Sequence, residues 1–388
     1  MRLRKVFVRA GWVVVIGASP AAPQLAEAQG NLSTQGVGYP EGELSSGTLA
    51  SGGGQAEFDA LSPINPAALA SLGATTLHMQ YDPEFRTVSA NGVSEHSTTS
   101  RFPDFVAALP ISGRLDVGLS AATLLDRTWE TDVAQPIAVG DTSVPGVATF
   151  RSSGGITDIR LGIGWHAARW LNLGAAIHGY TGENRILAQL TFQDTTIVKT
   201  ATFAQNTDYS YGGNGASVGA ELFPAGVLSF ATSYRVGGTL RVRRNDTLQA
   251  RGSIPPRIGA GIRYTGITGV AFALRGDWEG WSRLSSVGFD NLHAHDALEI
   301  GGGIDLAGPR VGAADQSIVV HAGARERDLP FLADGAVVHE TDFSGGFGIP
   351  VGGRRGTFDV ALQHAARSAP IDASESAWTL SLGLTVRP

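Results

Sequence analysis

Two histidines and an aspartate in one short stretch are the residues that could most readily bind a metal ion. His293, His295 and Asp296 stand close together, and alternate residues of a β-strand share one face. A zinc site takes three or four protein ligands, and no second cluster of suitable residues accompanies this one. The stretch also falls within a predicted loop. We therefore interpret these residues as surface side chains and expect no metal ion and no cofactor.

Other chemistry finds little support in the residue types. The chain has no cysteine, which excludes disulfides and thiolate chemistry. Arg325, Arg327 and Asp328 are interpreted as charge pairs at the base of a loop. With nine histidines, a catalytic pair assembled in space stays an open alternative, but no local motif predicts a hydrolase. We expect that the protein is not an enzyme.

The N-terminus has the order of a secretory signal. The first nine residues include four basic side chains, residues 10–18 are apolar, and Ala26-Glu27-Ala28 has the small residues of a cleavage site. The apolar run is much shorter than the roughly 20 residues of a membrane-spanning helix. The sequence therefore predicts a signal peptide over residues 1–28, cleaved after Ala28.

Composition excludes one class of partner. The formal net charge is −6, and lysine occurs only at Lys5 and Lys199. Because no basic run offsets this acidic balance, we expect no binding to nucleic acid.

From about residue 74 onward, apolar and small or polar residues alternate, which indicates β-strands. In residues 228–236, for example, Leu228, Phe230 and Tyr234 alternate with Ser229 and Arg235. The residues that alternate with the apolar ones are mostly glycine, alanine, serine and charged residues. Because these residues would face the interior, the sequence does not predict a continuous apolar channel inside. A soluble sandwich also alternates, and periodicity alone does not separate the two folds.

The lengths of the links between strands favour a membrane barrel. The pattern predicts 14 strands, over residues 74–82, 102–111, 114–127, 155–167, 170–182, 208–223, 226–240, 255–265, 268–282, 296–307, 316–326, 340–350, 355–366 and 375–386. Short turns alternate with long links, which are predicted at 83–101, 128–154, 183–207, 241–254, 283–295, 327–339 and 367–374. This alternation is typical of an up-and-down barrel with periplasmic turns and long outer loops. We therefore predict an all-β fold, a transmembrane antiparallel up-and-down β-barrel of about 14 strands over residues 74–388.

Residues 29–73 do not alternate, yet they are too apolar for a free tail. They contain a glycine cluster at 52–54, and the run Asn65-Pro66-Ala67-Ala68-Leu69 stands just before the first strand. These features, with the stretches 102–110 and 117–120, resemble the FadL family of outer-membrane transporters. That family takes up long-chain fatty acids and other hydrophobic compounds through a 14-strand barrel whose N-terminal hatch fills the lumen.

The resemblance implies roles for particular residues. Residues 29–73 would form the hatch in the lumen, and Asn65, Pro66 and Ala67 would fix the corner where the hatch turns into the first strand. A hydrophobic ligand would leave when the hatch shifts, or sideways through a wall opening beside the third strand. Candidate ligand contacts are Phe58, Leu61 and Ile64 in the hatch, and Trp129, Phe150, Phe192 and Phe203 in the outer loops.

The leading functional hypothesis is passive uptake of hydrophobic small molecules, fatty-acid-like or aromatic, across the outer membrane of a Gram-negative-type bacterium. A porin-like channel for polar solutes and a surface scaffold that anchors a secretion system stay open as alternatives. We expect a monomer whose partners are outer-membrane lipids, a hydrophobic ligand and the barrel-assembly machinery.

Overall fold

The computed structural model describes residues 32–388, apart from residues 91, 140–141, 193–201, 225, 288–292, 312–315 and 353–354. The signal peptide predicted for residues 1–28 lies outside the described residues. Within the described part, no helix has the length and apolar character needed to cross a membrane.

The described chain is mostly antiparallel strand. The strand segments are β1 (Thr76–Ala90), β2 (Val93–Arg101), β3 (Asp104–Ser112), β4 (Leu115–Asp126), β5 (Trp129–Val139), β6 (Thr142–Ala168), β7 (Leu171–Phe192), β8 (Thr202–Leu222), β9 (Leu228–Gly237), β10 (Thr239–Arg244), β11 (Thr247–Ser253), β12 (Arg257–Ile267), β13 (Val270–Glu279), β14 (Ala297–Val311), β15 (Gln316–Ala333), β16 (Ala336–Val351), β17 (Gly356–Ser368) and β18 (Ala373–Val386). Short helical turns are the α-helix α1 (Ser46–Ala50) and the 3₁₀ segments Leu32–Thr34, Pro66–Ser71 and Trp281–Val287.

Several of these segments are halves of one wall strand. β2 continues into β3, β4 into β5, β9 into β10 and β11 into β12, with short breaks between the halves. Pro103, Pro255 and Pro256 lie in two of these breaks, where a residue without a backbone N–H interrupts the ladder. β1 pairs with β18 and closes the ring, so the wall is a closed antiparallel barrel of 14 strands. The predicted fold and strand number are confirmed.

The outer face of the barrel is apolar, as the alternation predicts. On β9, Phe230, Tyr234 and Val236 are exposed, whereas Ser233 and Arg235 between them are buried in the interior. A surface of this kind is stable only against lipid, because exposed apolar side chains on every strand would be costly in water.

The prediction of long loops at the outer end is wrong for many of the residues involved, which form strands instead. Residues 83–101 form a hairpin in which Ala90 pairs with Val93, and much of 128–154 and 183–207 belongs to β5, β6, β7 and β8. Arg327 and Asp328 likewise lie on β15 rather than in a loop. The sequence pattern ends earlier than the strands, because a strand that continues beyond the bilayer keeps its backbone pairing without needing an apolar outer face.

The hatch, residues 32–73 of the described chain, lies inside the barrel. Its 3₁₀ segment Pro66–Ser71 packs on β6, β7 and β8. At Gly174 a Cβ atom would overlap the backbone of Pro66, and at Gly323 it would overlap that of Ser51. The abundant inward glycines thus let the hatch backbone approach the wall directly.

Candidate functional site

A group of buried charges, the hatch clamp, fastens the hatch to the wall at Tyr39. The Tyr39 hydroxyl donates a hydrogen bond to Glu340 at 2.9 Å and accepts hydrogen bonds from Arg327 and Arg367. Both guanidinium groups also lie over the Tyr39 ring, 4.9 and 4.6 Å from its centroid. Glu340 accepts from the Nε atoms of the same two arginines at 2.5 Å each. One hatch residue, Tyr39, is therefore held by three charged wall residues, two arginines and a glutamate.

Further ion pairs join the hatch to the wall at other positions around the lumen. The Arg257 guanidinium donates to Glu57 of the hatch at 2.9 Å, and Arg160 forms an ion pair with Glu43 of the hatch. Arg235 lies 3.6 Å from the Glu43 carboxylate. The interior at the level of the hatch is thus crossed by paired charges rather than lined by free ones.

The wall is not continuous between its second and third strands. β3 and β4 pair from Ser112 up to Asp104, and the Thr123 amide donates to the Pro103 carbonyl at 2.8 Å. Beyond that point β2 pairs with β1 and β5 pairs with β6, and the described residues show no pairing between β2 and β5. We call this opening the wall gap.

The hatch closes the inner side of the wall gap. Tyr39 and Asp126 exchange backbone hydrogen bonds of 2.7 and 2.8 Å, so the hatch stands where the neighbouring wall strand would pair. Arg101 on one edge of the gap reaches Asp126 on the other at 2.6 Å, and it also lies 2.7 Å from Glu41 of the hatch. Arg101, Asp126 and Glu41 form what we call the gap latch.

A cavity of about 300 Å³ lies in the wall gap. On the outer surface it is bordered by Phe102, whose side chain is 70% exposed. On the inner side it is bordered by Leu125 and Ile156, which are fully buried. The cavity therefore joins the lipid-facing surface to apolar side chains of the interior.

Leu125 and Ile156 belong to an apolar cluster of the interior. It also contains Val37, Leu124, Tyr180, Tyr211, Leu240, Val242, Ile254, Trp281, Leu284, Ala297 and Phe331. Trp281 and Leu284 come from the 3₁₀ segment after β13, and the Trp281 ring meets Phe331 edge-on at 6.1 Å. Most members of the cluster lie on predicted strands, but the pattern predicts loops over residues 241–254 and 283–295, where Val242, Ile254 and Leu284 lie, so the cluster as a whole is not predicted from the sequence. The signal was present, since Leu240 and Val242 alternate with Arg241 and Arg243.

The residues predicted to contact ligand are dispersed. Phe58 is buried beneath the Arg263 guanidinium, 4.6 Å from the ring centroid. Ile64 packs in a separate hatch cluster, and Leu61 is half-buried. Three of the predicted loop residues lie instead on strands and are half-buried: Trp129, Phe150 and Phe192. The side chain of Phe203 lies outside the described part of the structure. None of the described residues in this set belongs to the apolar cluster, and their ligand roles stay predictions.

The predicted corner residues begin the 3₁₀ segment that leads into β1. The Asn65 side chain accepts from the Ala67 amide at 3.0 Å and donates to the Glu57 carbonyl at 2.9 Å. Pro66 occupies the first position of that segment, where its missing N–H costs nothing. The role predicted for Asn65, Pro66 and Ala67 at this corner stays a prediction.

The histidine stretch is engaged with backbone. Both ring nitrogens of His295 lie 2.8 Å from carbonyl oxygens, those of Asp296 and Leu329. Across the described ranges, no group of three metal-ligating side chains is present.

The burial of Glu41 predicts that hatch docking depends on pH. Burial raises the pKa of Glu41 from its ordinary 4.5 to about 8, with Arg101 opposing the rise and Asp126, Glu84 and Asp82 adding to it. A released hatch would ionise Glu41 at its ordinary pKa, so docking is strongest below that value and weakens as the pH rises through about 8. We expect ionic conductance in planar bilayers to increase between about pH 5 and about pH 9, and Glu41→Gln to flatten this increase. An equal increase in the variant would contradict the assignment.

No protein-family model and no curated protein matches the chain. Several solved structures are similar to it. A FadL homologue from Pseudomonas aeruginosa is 11% identical, with a TM-score of 0.61 over 90% of this chain and 99% of the homologue. The toluene transporter TodX from P. putida is 9% identical, with a TM-score of 0.56 over 89% and 99%. The CymD monoaromatic hydrocarbon channel is 13% identical, with a TM-score of 0.52 over 92% and 97%. At such low identity the similarity shows the fold, and the chain has the fold of the FadL-type barrels.

Proposed function

We propose that the protein is a monomer in the bacterial outer membrane that takes up small hydrophobic compounds and releases them sideways through the wall gap. The observation that carries this proposal is the gap cavity, which brings Leu125 and Ile156 of the apolar cluster next to the exposed ring of Phe102. Two of the similar structures are named as a toluene transporter and a monoaromatic hydrocarbon channel, which supports the same class of cargo and a role without catalysis.

The charge distribution explains why the path would turn sideways. An apolar ligand gains about 25 cal/mol for each Å² that leaves water, so the apolar cluster is favourable for it. The hatch clamp lies on the route straight through the barrel, and breaking its buried ion pairs to admit an apolar molecule is costly. The gap offers apolar contacts that end in lipid. Transfer would then be passive, since each stage favours an apolar molecule over water.

The porin alternative is less well supported, because a polar solute would have to cross paired charges that the hatch holds together. Large ionic conductance at neutral pH without hydrocarbon binding would favour it. Recovery of a stoichiometric secreted partner with the purified protein would favour the scaffold.

Uptake of labelled toluene and of labelled oleate by cells that depend on this protein tests the proposal. We expect Ile156→Ser to reduce uptake about tenfold, because it removes apolar contact at the throat of the gap. Ile163→Ser is the matched control, because Ile163 lies on the same strand β6 with its side chain exposed to lipid. Equal uptake by the two variants would contradict a route through the gap.

A further inference from the structure

Three arginines stand together on the outer surface of the β10–β11 hairpin. Arg241 and Arg251 are directly opposite each other in the ladder. Arg243 is on the same face, because the intervening Val242 is buried in the apolar cluster. All three arginines are exposed. Like charges directly opposite one another on a sheet are destabilising, so this arrangement calls for an external anion.

The described residues do not supply that anion. Within the part of the chain that the structure describes, no carboxylate forms an ion pair with Arg241, Arg243 or Arg251. Other exposed arginines of the outer strands behave differently: Arg185 contacts Asp208 at 2.7 Å, and Arg151 lies 3.6 Å from Glu130.

The three arginines lie above the apolar residues of their own wall strand. On the same wall strand, Tyr234 and Val236 are exposed on the apolar surface below them. At about 3.3 Å per residue and a tilt of about 40°, Arg241 lies roughly 12 Å above Val236. Trp278, an exposed aromatic side chain two wall strands away, is suited to the interface below this level.

We propose that Arg241, Arg243 and Arg251 form a binding site for the phosphate groups of an anionic glycolipid of the lipopolysaccharide class in the outer leaflet. Two facing guanidinium groups can each donate paired hydrogen bonds to one phosphate, which removes their mutual repulsion. The proposal rests on the outer-membrane location proposed above, but not on transport.

The test is binding of lipid A to the refolded full-length protein, measured by native mass spectrometry in detergent. We expect Arg241→Gln/Arg251→Gln to weaken binding of diphosphorylated lipid A by at least about tenfold. Arg151→Gln/Arg185→Gln is the matched control and should leave binding unchanged. Dephosphorylated lipid A should bind the wild-type protein no better than it binds the first variant.

Equal binding of diphosphorylated lipid A by wild type and Arg241→Gln/Arg251→Gln would overturn the proposal. Inorganic phosphate that displaces lipid A at equal concentration would also overturn it, since the site would then be one for free anions. Heat-modifiable gel mobility checks that each variant is folded. Toluene uptake by the same variants separates the two proposals. Loss of lipid binding with normal uptake would support the lipid site and leave the proposed transport function unchanged.

Discussion

In the double variant Tyr39→Cys/Asp126→Cys, oxidation to a disulfide is expected to stop uptake, and reduction is expected to restore it. These residues exchange both backbone hydrogen bonds, and such antiparallel pairs have Cα atoms about 5.5 Å apart, which suits a disulfide. The bond would fix the hatch against the edge of the wall gap. If ligand leaves through the gap as the hatch withdraws, labelled toluene uptake should fall by at least about tenfold in the oxidised protein.

The design has an internal baseline, because the chain contains no cysteine of its own. The reduced double variant carries the same substitutions as the oxidised one, so only the crosslink differs. Ser46→Cys/Ser381→Cys is a second control, since those hydroxyls lie 2.7 Å apart and join the hatch to β18. We expect this second crosslink to be tolerated. Undiminished uptake in the oxidised Tyr39→Cys/Asp126→Cys protein would show that the hatch need not leave the gap.

Glu340→Gln is expected to have the largest effect on stability. Glu340 is fully buried and accepts hydrogen bonds from Tyr39, Arg327 and Arg367. Removing its charge leaves two buried guanidinium groups without their main counter-ion, and breaking such a pair costs about 3–5 kcal/mol. Urea unfolding in lipid vesicles should show this loss in the free energy of unfolding. Bilayer recordings should show larger ionic currents, because the hatch is released from its clamp.

Glu326→Gln is the matched control for that experiment. Glu326 lies on the neighbouring strand β15, but its side chain is exposed on the outer surface. The same loss of charge there should change the free energy of unfolding by less than about 0.5 kcal/mol. Similar losses in the two variants would mean that the clamp contributes little to stability.

The parts of the fold that face lipid could be predicted from the sequence, and those that depend on pairing in space could not. Alternation at Phe230 and Tyr234 predicted the outer face, because lipid requires an apolar residue at every second position. The wall gap has no such signal in the residue pattern, and only the resemblance to the FadL family implied an opening beside the third strand. A strand that lacks one neighbour keeps an ordinary sequence, and only Pro103 marks the break locally.

In the candidate site, too, local features could be predicted from the sequence, and contacts between distant residues could not. Asn65 was identified from its position before the first strand, because capping is a local interaction. The Tyr39 hydroxyl is bonded to Arg327, Glu340 and Arg367, which lie about 300 residues further along the chain, and no spacing rule connects them to Tyr39. Val242 lies beyond the end of the strand predicted over residues 226–240, because the strand continues beyond the bilayer, where its outward side chains are no longer apolar.

The length of β6 determines where a hydrophobic molecule would first meet the protein. Its 27 residues span on the order of 90 Å along the strand, far more than the apolar band of about 25 Å needs. The excess carries the outer end of β6 well above the hydrocarbon. By the proposed route, a molecule captured near that end and released at the wall gap would reach the lipid without crossing the polar headgroup layer.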